Sequence, residues 1–299
     1  MYRMLEGPPG GLGSAGLAAL VLLVGAVGGL RLWRPKMQPA APPPRTVPFT
    51  SYPCSESQPA FSPDGRQIAF VWDGEAGGNP HIYVKLIDSG TPLQLTTNAA
   101  PDCCPTWSPD GSRIAFVRTS AERGGIFVVS ALGGSERKLA DAEATGIDWS
   151  PDGKFLAISE QNSPGVPFSL FLLSVDIGQK HRLTSAPSIA PFGDYYPAWS
   201  PDGGTLAFAR SSKVAVSDIY LVSVAGGEPR RLTFDDRRID GVAWTPDGSS
   251  IVFSSWRAEG PGLWKVSASS RLGSVTPERL ATVGGNTASL SVSRQAAWI

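Results

Sequence analysis

Five aspartates stand at one position of a repeated phrase. A carboxylate recurring at fixed spacing is the first place to look for metal ligation or general acid–base chemistry. Asp64, Asp110, Asp152 and Asp202 each lie in Ser-Pro-Asp-Gly, and Asp247 lies in the variant Thr245-Pro246-Asp247-Gly248. The phrase itself argues for a turn. Serine suits its first position, proline presets φ at the next, and glycine takes the place where φ is positive. The five aspartates are therefore assigned to bonding the local backbone, a structural use. Other chemistry is sparse. His81 and His181 sit beside β-type runs in different repeats, so no histidine pair has metal-ligand spacing. No Gly-x-Ser-x-Gly elbow occurs. Gly11-x-Gly13-x-x-Gly16 matches a dinucleotide fingerprint in letters, but it follows no strand and opens an apolar run, which denies it phosphate-binding geometry. Cys54, Cys103 and Cys104 are an odd set with a vicinal pair, which does not make a disulfide framework. Free, partly buried thiols are the reading. A Cys54–Cys103 bond is the alternative, because the two occupy similar positions in consecutive repeats. No catalytic residue, cofactor or metal site is expected.

The elements that position these residues repeat with the turn. The prolines of the phrase are 46, 42, 50 and 45 residues apart, a period that signals a repeat architecture. Each turn is flanked by a short apolar stretch, such as Pro59-Ala60-Phe61, and a second one, such as Ile68-Ala69-Phe70-Val71. Two such runs around a turn predict a hairpin. A third run follows in every repeat, as in Ile82–Leu86, Ile126–Val129, Leu170–Leu173, Ile219–Val222 and Leu263–Val266. A fourth closes the unit, as in Leu93–Thr96 and Arg231-Leu232-Thr233. Four strands per unit at this period predict an all-β propeller of four-stranded blades, with five clear repeats. Helical periodicity is absent from the repeats, which argues against an α-solenoid.

The repeats resemble those of the TolB-like, WD-type β-propeller family, whose signature is the aromatic-Ser-Pro-Asp-Gly hairpin. The resemblance covers about residues 46–299. The stretch Val47–Pro53, followed by Gln58–Gly65, is also similar to bacterial membrane regulators of the CadC kind. That resemblance implies a cytoplasmic winged-helix domain, one membrane helix and an extracytoplasmic propeller. A Ser/Thr kinase takes the place of the winged helix in a similar layout. Neither domain fits within the few residues before Gly7, so no nucleic-acid contact is assigned to this chain.

One set of residues is placed for binding. The segments entering the innermost strands are Glu56-Ser57-Gln58, Asp102-Cys103-Cys104, Glu143-Ala144-Thr145, Asp194-Tyr195-Tyr196 and Arg238-Ile239-Asp240. In a propeller these ring one end of the central channel. Glu56, Asp102, Asp194, Tyr195, Tyr196 and Asp240 are the candidate funnel for a protein, peptide or small ligand on one face. Net charge is zero, with 26 basic and 26 acidic residues, which offers no electrostatic case for nucleic acid or anionic lipid as a partner of the propeller.

The termini carry the remaining expectations. Residues 1–6 read as a tail, 7–32 as a transmembrane helix, 33–45 as a Pro-rich linker and 46–299 as the propeller. Gly7 to Leu30 carries no charge over 24 residues, enough to span a bilayer. A cleaved signal peptide ending near Ala26-Val27-Gly28 is the alternative. Arg31, Arg34 and Lys36 after the apolar run, against Arg3 before it, put the propeller in the cytoplasm by the positive-inside rule. The family resemblance puts it outside, in a single-pass inner-membrane protein, and this is the placement expected. Thr46–Thr50 reads as a stray fourth strand able to complete the last blade. Leu290–Arg294 reads as the start of a sixth hairpin whose second strand begins at Trp298-Ile299, which predicts truncation within blade six; a five-bladed ring with a frayed tail is the alternative. The functional expectation is a non-enzymatic binding module, the sensing part of a CadC-like regulator without its output domain. The rivals are a soluble periplasmic TolB-like adaptor and the propeller of a prolyl-oligopeptidase-like peptidase or a membrane kinase.

Overall fold

The computed structural model describes residues 49–293, other than 89, 121–123, 235, 258–259, 271–275 and 283–289. The tail, the expected membrane helix at 7–32, the linker at 33–45 and the Trp298-Ile299 segment lie outside the described residues. The repeats form five four-stranded antiparallel sheets. Blade one is β1 (Glu56–Phe61), β2 (Gln67–Trp72), β3 (His81–Leu86) and β4 (Leu93–Gln94). Blade two is β5 (Asp102–Trp107), β6 (Arg113–Arg118), β7 (Gly125–Ser130) and β8 (Arg137–Ala140). Blade three is β9 (Ala144–Trp149), β10 (Phe155–Glu160), β11 (Ser169–Ser174) and β12 (Lys180–Arg182). Blade four is β13 (Asp194–Trp199), β14 (Thr205–Lys213), β15 (Val216–Ser223) and β16 (Arg230–Arg231). Blade five is β17 (Arg238–Trp244), β18 (Ser250–Arg257), β19 (Gly260–Ser267) and β20 (Glu278–Thr282). Strands within each blade pair in sequence order, so every connection is local.

The repeated turn is a closed hydrogen-bond set. In blade two, Ser108 Oγ donates to Asp110 Oδ1 at 2.5 Å, and the amide and hydroxyl of Ser112 donate to the same oxygen at 3.0 and 2.8 Å. Arg113 N donates back to Ser108 Oγ at 2.9 Å. The same pattern recurs at Asp64, Asp152, Asp202 and Asp247. These bonds favour the ionised carboxylate, holding Asp110 and Asp247 down to about 2 and the other three below the ordinary range. The turns also stack. A side chain on Gly111, Gly153, Gly203 or Gly248 would meet the turn proline of the preceding blade at 3.4–3.7 Å.

A prediction follows from the sign of these shifts. A carboxylate depressed in the folded state stabilises the fold above its unfolded value, near 4, and that contribution is lost as pH falls toward 2. Asp110→Ala should lower stability by about 1–2 kcal/mol at pH 7, the ordinary worth of lost hydrogen bonds at an exposed turn. The gap between variant and parent should narrow in urea melts as pH drops from 5 to 2.5. A gap independent of pH would assign the effect to turn propensity rather than to the carboxylate.

The core lies between blades. Each blade carries a large aromatic or aliphatic set toward its predecessor and a smaller set toward its successor. Trp107, Ile114 and Phe116 of blade two pack on Ala69, Val71 and Val84 of blade one. Trp199, Leu206 and Phe208 of blade four pack on Ala157, Leu170 and Leu172 of blade three. Large against small across a flat face gives interior packing density without voids. Three tryptophans also tie neighbouring innermost strands: the indole nitrogens of Trp107, Trp199 and Trp244 donate to the carbonyls of Ala60, Asp148 and Ala198 at 2.9, 3.2 and 3.0 Å.

Residues 290–293 occupy a sixth position in the ring. Phe61 N donates to Ser291 Oγ at 3.1 Å, and a side chain on Gly241 would lie 3.0 Å from Leu290 N. This chain segment therefore stands between β1 and β17, where a sixth innermost strand belongs. Of Thr46–Thr50, expected to complete the last blade, only Phe49 and Thr50 are described, and neither belongs to a strand. Blade five takes its fourth strand from β20. Phe49 packs with Tyr52 on Ile68, Phe70, Trp72 and Tyr83 of blade one, and Thr50 Oγ1 donates to Glu56 at 2.7 Å.

Candidate functional site at the waist of the channel

The first and third residues of each strand-entering triplet do different work. Two of the first residues, Asp102 and Asp194, are buried within their blades, whereas Glu143 and Arg238 are exposed. Asp102 is fully buried and accepts Arg118 Nε and Nη2 at 2.7 and 3.0 Å, while Glu136 takes Nη1 at 2.6 Å. Asp194 is fully buried and accepts Arg210 Nε and Nη2 at 2.6 and 2.8 Å, plus Thr184 Oγ1 at 2.6 Å. Each guanidinium also lies over aromatic rings, Arg118 over Phe127 at 4.7 Å and Arg210 over Tyr220 at 5.0 Å. These two aspartates belong to the frame. Glu56 accepts Thr50 through one oxygen, and its Oε1 is buried with no hydrogen-bond partner among the described residues.

The third residues line the channel. Gln58, Cys104, Thr145, Tyr196 and Asp240 form one ring, with Leu290 at the sixth position, around a constriction of about 120 Å³. In blades one, two and four the third residue precedes a proline and takes a left-handed backbone, with φ of 52° at Gln58, 58° at Cys104 and 54° at Tyr196. Non-glycine residues rarely adopt this conformation. A register break follows in each case, between Ser57 and Ala60, Cys103 and Thr106, and Tyr195 and Ala198. A bulge of this kind re-aims a side chain. Here it turns the third residue toward the axis. Beyond the waist, on the side of the Ser-Pro-Asp-Gly turns, the channel widens to about 660 Å³, walled by Trp107, Trp149, Trp199 and Trp244 with the turn prolines.

The electrostatics of the waist centre on Asp240. It is 5% exposed. Its Oδ1 accepts Arg238 Nε at 2.7 Å, and its Oδ2 has no hydrogen-bond partner among the described residues. Burial pushes the Tyr196 hydroxyl up to about 12, and the neighbouring Asp240 charge adds to the rise. Tyr195 meets Tyr196 edge to face, with centroids 5.0 Å apart, and its hydroxyl is also raised by burial. Cys104 N donates to Gln58 Oε1 at 2.6 Å and Cys104 Sγ lies 3.3 Å from Thr145 O, so the first three ring positions touch one another. All three cysteines are free, which leaves Cys54 and Cys103 unbonded. Among the described residues no group of three or more His, Cys, Asp or Glu side chains is placed to hold a metal ion. His81 lies 3.9 Å from Asp102, and His181 packs edge-on against Phe155 on the outer strand of blade three.

Of the six candidate funnel residues, Tyr196 and Asp240 reach the waist. The ring members outside that set, Gln58, Cys104 and Thr145, share a signal that repeat alignment carries: each is the third of its triplet, two of them directly before proline.

Five four-stranded blades joined by turns of the Ser-Pro-Asp-Gly kind around a polar channel waist define a β-propeller. The sequence profile described as the TolB beta propeller domain matches residues 45–196, and the chain belongs to that family. An uncharacterized protein of Agrobacterium fabrum is 34% identical over 118 residues, 39% of this chain and 38% of the relative. YuxL, an uncharacterized peptidase of Bacillus subtilis, is 39% identical over 67 residues, 22% of this chain and 10% of the relative. The matches thus span well under half of either relative's length. Among solved structures, TolB of Acinetobacter baumannii superimposes with a TM-score of 0.60 at 19% identity, covering 71% of this chain and 52% of TolB. An oligogalacturonate lyase of Vibrio parahaemolyticus gives 0.55 at 16% identity, covering 80% of this chain and 68% of the lyase. At these identities the likeness is one of fold.

Proposed function

We propose that this chain is a non-enzymatic binding module that takes a cationic group of a protein or peptide partner at the waist of its channel. Held at the membrane through residues 7–32, with the propeller outside the cytoplasm, it is the sensing part of a regulator similar to CadC. The observation that carries the binding reading is Asp240. A carboxylate oxygen buried without a partner is unfavourable on its own, and a charged partner group relieves that burial. Tyr195 and Tyr196 beside it offer apolar faces with polar tips, suited to a peptide side chain. The test is titration of the propeller with short lysine-bearing peptides and their acetyl-lysine counterparts, read by tryptophan fluorescence. Asp240→Asn should weaken the lysine peptides ten-fold or more, since a charged hydrogen bond is worth about 1.5–3 kcal/mol. It should leave the acetylated ones unchanged. Equal affinities for parent and variant would refute the site.

The match to a peptidase favours a second reading, a propeller that gates a hydrolase domain. Reading the DNA on both sides of the frame separates the two. An upstream winged helix supports the regulator, and a downstream serine elbow with later Asp and His supports the peptidase.

A further inference from the structure

Cys103 and Cys104 are neighbours in β5, and their sulfurs lie 3.0 Å apart with both thiols free. Side chains of successive strand residues normally point to opposite faces. The left-handed backbone at Cys104 cancels that alternation and brings the two sulfurs to one side. Cys103 and Cys104 both pack against the core between blades two and three, and Cys104 also lines the channel waist. The hydrogen bond from Cys104 draws the Cys103 thiol down, and the same bond together with burial pushes Cys104 up. The pair therefore divides into a first nucleophile and a second.

A direct bond between them is disfavoured. Adjacent Cα atoms across a trans peptide are about 3.8 Å apart, short of the roughly 4.4–6.8 Å that relaxed disulfides span. A bridge of one atom asks for far less. Two bonds of about 2.3 Å, the length zinc makes to thiolate, meeting near a right angle hold their sulfurs roughly 3.2 Å apart. That is close to the separation already present. A tetrahedral metal would want further protein ligands, and none is grouped with the pair among the described residues. A trivalent, pyramidal metalloid needs two thiolates and keeps its third substituent.

We propose that Cys103 and Cys104 form a bidentate site for a soft, trivalent metalloid of the organoarsenous acid class, with the third substituent projecting into the channel waist. Two As–O bonds and two S–H bonds break, two As–S bonds form, and the thiol protons leave with the hydroxyls as two waters. Arsenic stays trivalent and nothing is oxidised. The site goes beyond the binding function proposed above and does not depend on Asp240.

The test is titration of the full chain with phenylarsine oxide, followed by native mass spectrometry and a thiol count with dithionitrobenzoate. One equivalent should give a single adduct, remove two of the chain's three thiols from the count and leave Cys54 reactive. Excess 2,3-dimercaptopropanol should restore both. Cys54→Ser should bind as the parent does, and Cys103→Ser and Cys104→Ser should each lose the stable adduct. Three reactive thiols after one equivalent would overturn the proposal, as would an equally stable adduct on either single-serine variant. The titration of the parent chain needs no variant, so a serine substitution that failed to fold would not blunt the test.

Discussion

Asp194→Ala should lower the stability of the propeller by about 3–5 kcal/mol, the range for removing one partner of a buried ion pair. The Asp194 carboxylate is fully buried, accepts two bonds from Arg210 at 2.6 and 2.8 Å, and holds the Thr184 hydroxyl at 2.6 Å. Thr184 Oγ1 in turn accepts the Leu170 amide at 3.0 Å, so the same cluster ties blade three to the start of blade four. Removing the carboxylate deprives a guanidinium lying over Phe208 and Tyr220 of its bidentate partner, with the charge of Glu228 remaining. Most of the loss is that desolvated charge rather than the attraction itself. The double variant Asp194→Leu with Arg210→Met should therefore recover much of it. Urea unfolding monitored by tryptophan fluorescence reads both. A single variant within about 1 kcal/mol of the parent would show that Arg210 escapes to water, and the pair would then be a surface feature in energetic terms. Asp102 with Arg118 repeats the geometry in blade two and should respond in the same direction.

That pair also shows where the sequence was legible and where it was not. Turn chemistry is local, so four copies of Ser-Pro-Asp-Gly and one Thr-Pro-Asp-Gly locate all five hairpins, and the apolar runs around them locate the strands of every blade. The first residue of four of the five triplets begins its strand, and β9 begins one residue later, at Ala144. The direction of that first residue was not legible, because direction depends on which face of the sheet meets the neighbouring blade. The sign was nonetheless in the chain. Asp102 and Asp194 each have an arginine 16 residues on, in the second strand of the same blade. A buried carboxylate needs such a partner. Asp240 has its arginine two residues before it, on the same strand, and that neighbour satisfies one oxygen only. The waist was harder to read. Alternation predicts that residues two apart share a face, and the bulges before Pro59, Pro105 and Pro197 break that rule at the residues that line the channel. A residue before proline is ordinarily extended, so a left-handed Gln58, Cys104 or Tyr196 is not something local propensity announces.

The same geometry makes Gly193, which directly precedes Asp194, the backbone position least able to change. Its φ of 77° lies in the left-handed region, and a methyl group there would overlap the carbonyl oxygen and amide nitrogen of Phe168. Phe168 and Gly193 form a parallel bridge between blades three and four. Asp194 N donates to Phe168 O at 2.8 Å, and Gly193 N donates to Ser211 Oγ at 2.9 Å. Gly193→Ala thus meets two penalties. The left-handed conformation costs about 1–2 kcal/mol for a residue with a Cβ. Overpacking against fixed backbone adds about 1–3 kcal/mol. Gly165 separates the two. Its φ is 82°, nearly the same, but a Cβ there would meet nothing within 4 Å. Gly165→Ala should therefore show the first penalty alone, and the excess loss in Gly193→Ala measures the contact between blades. Because the clash lifts Asp194 away from Phe168, the excess should shrink when Gly193→Ala is made on the Asp194→Leu, Arg210→Met background. Equal losses for the two glycines would mean that blades three and four separate there without cost, which would remove the ground for treating the Asp194 cluster as an inter-blade latch.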